Sequence, residues 1–247
     1  MKTPAGNPDR YALIDFVRGT AILLMIVYHF SWDLTFFGLA DFQIFTDPGW
    51  IWFANIIVIM ILGVMGVSQV MARRKPFTLN VFIRRFAMIA SGAAAVSVAT
   101  WWIDPGTYIF FGILHHITIA SILLAGAVLL PTMLLLTLAL IVFAAQWFLV
   151  HEIFAADWLL WLGLSPSPAA SVDYVPLAPW FAVPLLGVVL GRWVFASPAA
   201  SGLLAWQANN RLWRGVRFAG RHSLAIYLIH QPVLYGGLYI GVTLIRS

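Results

Sequence analysis

Four ionisable side chains, Asp15, Arg18, His29 and Asp33, fall inside one apolar run near the start of the chain. Wound as an α-helix at about 100° per residue, with Asp15 at zero, Arg18 falls at about −60°, His29 at about −40° and Asp33 at about 0°. The four share one narrow stripe, and Leu23, Leu24, Met25, Ile26 and Val27 fill the stretch between. From Asp15 to Asp33 the stripe climbs roughly 27 Å at the helical rise per residue. His29 and Asp33 stand at i and i+4, where helix side chains meet. A carboxylate on one imidazole nitrogen fixes the tautomer and makes the other nitrogen a better base. Two residues four apart are a weak signal by themselves, and their depth in an apolar run strengthens it. Ionisable groups in hydrocarbon are costly and face a bundle interior or a water-filled cavity. The plain structural alternative is a bundle-facing stripe in which Asp15 pairs with Arg18.

Other apolar runs carry polar groups at a matching depth. His115 and His116 lie about two turns into the fourth run, His230 lies in the outer half of the last, and Asn55 comes early in the second. Ser223, Tyr227 and His230 share a face at i, i+4 and i+7. These groups could converge with His29 in one cavity opening outward. Neighbouring residues on a helix diverge by about 100°, so only one of His115 and His116 can face a given cavity. His151 and His222 sit at run ends, where solvation is the default. There is no Cys, which removes disulfides, thiolate metal sites and a Cys acyl-enzyme.

The elements that hold these groups are expected to be membrane helices. The hydrophobic fraction is 62% and the charged fraction 9%, against about half and about a quarter in soluble domains. A hydrocarbon core of about 30 Å takes about 20 apolar residues per helix. Candidate spans lie near 12–37, 49–71, 82–103, 107–130, 132–151, 176–195 and 217–243. The expected fold is therefore an all-α bundle of about seven transmembrane helices in a single domain spanning 1–247. With the N-terminus in the cytoplasm, Lys2, Arg10, Arg18, Arg73, Arg74, Lys75, Arg84, Arg85, Arg192, Arg211, Arg214, Arg217 and Arg221 fall inside and only Arg246 outside. Asp33, Asp41, Asp47, Asp104, Glu152, Asp157 and Asp173 fall outside. The net charge of +5 is thus a positive-inside signature and not a footprint for nucleic acid. Trp residues cluster near the expected boundaries, as interfacial rings do.

Residues 1–10 read as a cytoplasmic tail, Asn80 as the cap of the third span, and Asp104–Pro105–Gly106 as a tight outer turn. The stretch 152–175 reads as a short interfacial helix followed by an irregular loop. Residues 197–220 read as an amphipathic segment on the cytoplasmic surface. The first span is long, carries Asp15 and Arg18, and has no small-residue cleavage site after it, unlike a signal peptide.

The run RYALIDFVRGTAILLMIVYHFSWDL, with Arg10, Asp15, Arg18, Gly19, Met25 and His29, resembles the opening of the heparan-alpha-glucosaminide N-acetyltransferase catalytic domain family. FFGILHHITIAS (110–121), DYVPLAPWFAVPLLGVVLGR (173–192) and GRHSLAIYLIHQPVLYG (220–236) resemble later blocks of its bacterial members, in the same order. The resemblance implies a transmembrane acyltransferase that takes acetyl from cytosolic acetyl-CoA. The acetyl would pass to an amine or hydroxyl of a sugar-type acceptor on the far side of the membrane. It also implies a catalytic His, acting as a base or as the acetyl carrier. Asp15, Arg18 and Gly19 match the opening motif, His29 the membrane His, and His115 the His that follows GIL.

On this reading His29 and Asp33 are catalytic, and Asp15, Arg18 and Arg221 bind the acyl donor. Asn55, His115, His116, Tyr227 and His230 line or support the acceptor site. CoA is a phosphorylated anion, and Arg forks at an inner mouth suit its phosphates. A pantetheine arm could thread the stripe towards His29. No metal is expected, the partners are acetyl-CoA, the acceptor and the bilayer, and a homodimer is allowed. The location implied is a bacterial cytoplasmic membrane. Two other readings stay open: a haem or quinone protein using His29, His115 or His116, and His230, and a small transporter lined by Asp15, Arg18 and Asp33.

Overall fold

The computed structural model describes residues 11–74, 76–207 and 210–246. The expected tail at 1–10 lies outside the described residues, as do Lys75, Ala208 and Asn209. Among the described residues every regular element is a helix. The main ones are α1 (Ala12–Phe36), α2 (Pro48–Ala72), α3 (Leu79–Ile103), α4 (Ile113–Ala127), α5 (Thr132–Phe148), α6 (Leu177–Trp180), α7 (Ala182–Ala196), α8 (Ser201–Ala205), α9 (Arg211–Arg221) and α10 (Ser223–Arg246).

Five stretches are long and apolar enough to cross a membrane: α1, α2, α3, the continuous Leu177–Ala196 and α10. The apolar helices α4 and α5 have 15 and 17 residues. At the helical rise these come to about 22 Å and about 26 Å, short of a hydrocarbon core of about 30 Å. The fourth run starts later than the sequence suggests for a visible reason. Thr107 and Phe111 accept hydrogen bonds from the backbone N–H groups of Val172 and Val175, which hold 107–112 out of the helix until α4 begins at Ile113. The last run is likewise divided, with α9 ending before His222 and α10 beginning at Ser223.

Turn chemistry sets several boundaries. Asp47 accepts from the N–H groups of Gly49 (2.8 Å) and Trp50 (3.2 Å) just ahead of Pro48, so an acidic cap precedes a proline that needs no N–H partner. Gly38, at φ +70°, takes the left-handed conformation that follows the end of α1. Asp104 accepts from Gly106 N–H and the Thr107 hydroxyl, forming the expected tight turn. Those bonds favour the charged carboxylate and hold the Asp104 pKa below its usual range. Asn80 lies inside α3, whose N-cap is Thr78, which corrects the expected cap. The interfacial stretch forms two short 3₁₀ turns, Glu152–Ala155 and Asp157–Leu162. The Tyr174 hydroxyl donates to the Leu160 carbonyl at 2.6 Å, and burial pushes its pKa up.

The chain divides into two compact units, Met1–Ile61 with Val194–Ser247 and, separately, Leu62–Trp193. In the first unit Ile22, Met25 and Ile57 form a small core with Phe53, Ile226 and Tyr227 against it. Its closest helix approach is α1 on α9. A Cβ on Gly19 would collide with the Val216 carbonyl, and one on Gly220 with the Asp15 carbonyl. Val216, Ala219 and Gly220 are buried, so α9 turns its small-residue face to α1. Its N-cap Asn210 accepts from Trp213 N–H at 2.7 Å.

In the second unit Leu124, Leu135, Leu185 and Val188 anchor the core. Gly66 and Gly187 let α2 and α7 meet backbone to backbone. Arg192 donates to the Val128 and Leu130 carbonyls (2.9 and 2.7 Å) and to the Thr132 hydroxyl (3.0 Å), closing the end of α4. Elsewhere large apolar side chains face outward, among them Trp102 at 77% exposed and Leu140 at 66%. Soluble proteins rarely expose such surface over contiguous areas, whereas lipid covers it.

Candidate functional site

Asp15 is buried in the first unit, at 2% exposed. Two cations share its carboxylate: Arg18 Nη1 lies 3.5 Å from Oδ1, and Arg221 Nε lies 3.3 Å from Oδ2. Arg18 reaches Asp15 along the same helix at i+3, and Arg221 reaches it from α9 because the Gly19–Gly220 approach leaves no side chain between the helices. The three residues assigned to the acyl donor therefore form one cluster. Arg217, one turn before Arg221, has a buried Nε without a hydrogen-bond partner among the described residues. Sequence reading assigned it only to topology. The signal for it was its place on the same face of α9 as Arg214 and Arg221.

About one turn beyond Met25, α1 meets α10 through His29 and His230. His29 Nδ1 lies 3.1 Å from His230 Nε2, with ring centroids 4.9 Å apart. His230 Nδ1 lies 2.6 Å from the Tyr227 carbonyl of its own helix. A carbonyl can only accept, so His230 carries its hydrogen on Nδ1 and offers a lone pair at Nε2. His29 Nδ1–H then donates to that lone pair. This tautomer assignment leaves His29 Nε2 as a lone pair.

Asp33 does not orient His29, contrary to the expected i, i+4 dyad. Its Oδ1 accepts from Gln231 Nε2 at 2.7 Å. Both α1 side chains reach across to α10, where His230 and Gln231 supply the partners. Asp33 is 0% exposed, and its Oδ2 and the Gln231 Oε1 are buried without a hydrogen-bond partner among the described residues. Two orphaned acceptors thus belong to Asp33, one helical turn after His29, and to Gln231, the residue after His230. Gln231 was missed by sequence reading, although a polar residue next to His230 in an apolar run was the available signal. Aromatic rings frame the site: Tyr28 against His29, and Trp32 stacked on Phe36 with Tyr235 beside Phe36 and Phe37. Asn55, on α2, is half-buried and makes no hydrogen bond to this group among the described residues.

His115 and His116 belong to the second unit. His115 Nδ1 accepts from Gly112 N–H at 3.2 Å, and its Nε2 lies 3.1 Å from Ser97 Oγ, which donates to the Ile109 carbonyl at 2.6 Å. Both ring nitrogens are engaged in holding the start of α4, where Asp173 also accepts from Ile113 N–H at 3.0 Å. His116 is 0% exposed. Its Nδ1 donates to the Val175 carbonyl at 3.1 Å, and its Nε2 has no partner among the described residues. The two neighbours point apart, as the helical angle requires. The haem reading loses its simplest ligand pair here, because His29 and His230 bond each other and do not flank a space for iron.

No curated protein and no solved structure matches the chain. A family model described as heparan-alpha-glucosaminide N-acetyltransferase, catalytic, matches residues 10–232, a range that includes the whole Asp15–Arg18–Arg221 cluster and the His29, Asp33, His230 and Gln231 side chains. With nearly the whole chain covered, the protein belongs to the heparan-alpha-glucosaminide N-acetyltransferase catalytic family.

Proposed function

We propose that the protein is a transmembrane acetyltransferase. It takes an acetyl group from cytosolic acetyl-CoA and delivers it to an amine or hydroxyl of a sugar-type acceptor on the extracytoplasmic side. Family membership supports an acyltransferase. The observation that carries the site is the His29–His230 pair with the orphaned oxygens of Asp33 and Gln231. An amine or hydroxyl is a donor, and two buried acceptors on the same two helices as the imidazole lone pair suit one. Leaving them unmet costs about 1–3 kcal/mol each.

The chemistry follows from these atoms. The acceptor O–H or N–H gives its proton to His29 Nε2 as its heteroatom attacks the thioester carbonyl. The new C–O or C–N bond forms, the C–S bond breaks, and the CoA thiolate leaves with the proton that His29 has held. His230 Nε2, accepting from His29 Nδ1–H, stabilises the imidazolium formed on the way. At the other end of α1, Arg18 and Arg221 receive donor phosphates, with Asp15 holding both guanidinium groups in place. The acetyl-His alternative uses the same Nε2 as a nucleophile. We assign the basic end of the helices to the cytoplasm by the positive-inside pattern and read all seven apolar runs as spans.

Acetyl-CoA binding to the detergent-purified protein tests this reading. Binding by wild type and His29→Ala, but not by Arg18→Ala, is expected, followed by acetyl transfer to amino sugars by wild type alone. A folded wild-type protein that binds no acetyl-CoA overturns it.

A further inference from the structure

At the basic end of the second unit lies a cavity that the chemistry above does not use. The end of α2, the start of α3 and the middle of α4 enclose a space of about 360 Å³, at the small end of the range for ligand sites. Most of its wall is hydrocarbon, including Phe77, Phe82, Ile89 and Ile117. The polar exceptions include Gln69, Arg73 and Arg85, and no acidic residue lines the space among the described residues. None of these three side chains has a hydrogen-bond or ion-pair partner among the described residues. Thr78, also in the wall, makes no side-chain cap bond to the first turn of α3, so the positive end of that helix dipole is uncapped as well.

Arg73 and Arg85 are exposed at the rim of an apolar floor, where their guanidinium groups are open to an anion. Guanidinium forks match phosphate oxygens, and aromatic and aliphatic walls match a chain, not a hydrated ion. We propose that this cavity binds a phosphate-bearing amphiphile, with its phosphate on Arg73 and Arg85 and its apolar arm along Phe77, Phe82 and Ile89. Two sources share that chemistry: an anionic phospholipid of the adjoining leaflet, and a phosphorylated thioester coenzyme. The second source rests on the donor reading above, and the first does not.

The test is binding of two probes, phosphatidylglycerol by native mass spectrometry and coenzyme A by equilibrium dialysis, to the full chain in non-ionic detergent. The variants are Arg73→Gln/Arg85→Gln, the cavity-filling Ile117→Trp, Arg84→Gln as a control outside the cavity, and Arg18→Ala at the donor cluster. At least one probe is expected to bind wild type and to weaken about tenfold or more in both cavity variants, with Arg84→Gln unchanged for that probe. Thermal melts of the two cavity variants separate lost binding from lost fold, and either one that remains folded suffices for the comparison. A phosphatidylglycerol effect identifies a lipid site, and a coenzyme A effect places the donor phosphates here. If neither probe binds, or if folded cavity variants bind as wild type does, the proposal is overturned. Coenzyme A lost in Arg18→Ala but kept in the cavity variants overturns the donor arm and leaves the transferase reading standing. Wild type that binds phosphatidylglycerol in the cavity and no coenzyme A does the reverse.

Discussion

Because His230 spends its Nδ1 hydrogen on the Tyr227 carbonyl, only its Nε2 lone pair is available to His29. That asymmetry gives the two imidazoles different tasks and different variant phenotypes. His29→Ala should lower the acetyl-transfer rate by about 10²–10⁴-fold, the range for losing a general base. His230→Ala should cost less, mainly in kcat, because the base remains but its orientation and cation stabilisation are lost. Gln231→Ala leaves Asp33 buried without a hydrogen-bond donor, which costs about 1–3 kcal/mol and should lower the melting temperature in detergent. Equal losses in the His29 and His230 variants would argue for a purely structural pair. The polar stripe itself was legible from helical spacing, since Asp15 does pair with Arg18 and His29 does lie at a polar site. Its partners were not. Spacing places His29 and Asp33 on one face, but whether they bond each other depends on what the facing helix presents there. That is a tertiary fact about His230 and Gln231.

The helices owe their approach to glycines whose missing side chains are spatially required. Gly19→Ala should cost about 3 kcal/mol by forcing α9 off α1, far above the helix-propensity gain of about 1 kcal/mol. Gly241→Ala, which meets nothing within 4 Å, should be neutral or slightly stabilising. Thermal melts of the two variants in the same detergent check the contrast. Arg192→Ala removes three hydrogen bonds at the end of α4 and should destabilise the protein by a few kcal/mol, about 1 kcal/mol or more per bond. Local chemistry made some boundaries readable: Asp47 before Pro48, and the Asp104 turn. The late start of α4 was not readable, because the bonds that hold 107–112 out of the helix come from residues some sixty positions away.

The molecule has no cysteine, so a single introduced thiol reports its side of the membrane without background. Ser167→Cys should react with an impermeant maleimide on intact cells, and Asn80→Cys only after permeabilisation. The reverse pattern would invert the topology and remove the donor cluster from the cytoplasm. The close approach of α1 and α9 also bears on how the chain is made. Asp15 and Arg221 are 206 positions apart, which at about 5–20 residues per second is roughly 10–40 s of synthesis. During that time Asp15 lies on the first helix without its ion pair to Arg221. Its second cation, and the peptide plane that covers Gly19, arrive only with about the last eighth of the chain. A polypeptide truncated before α9 therefore keeps an incompletely paired carboxylate on its first membrane helix. Such an intermediate is a natural target for membrane proteases that survey unfinished proteins.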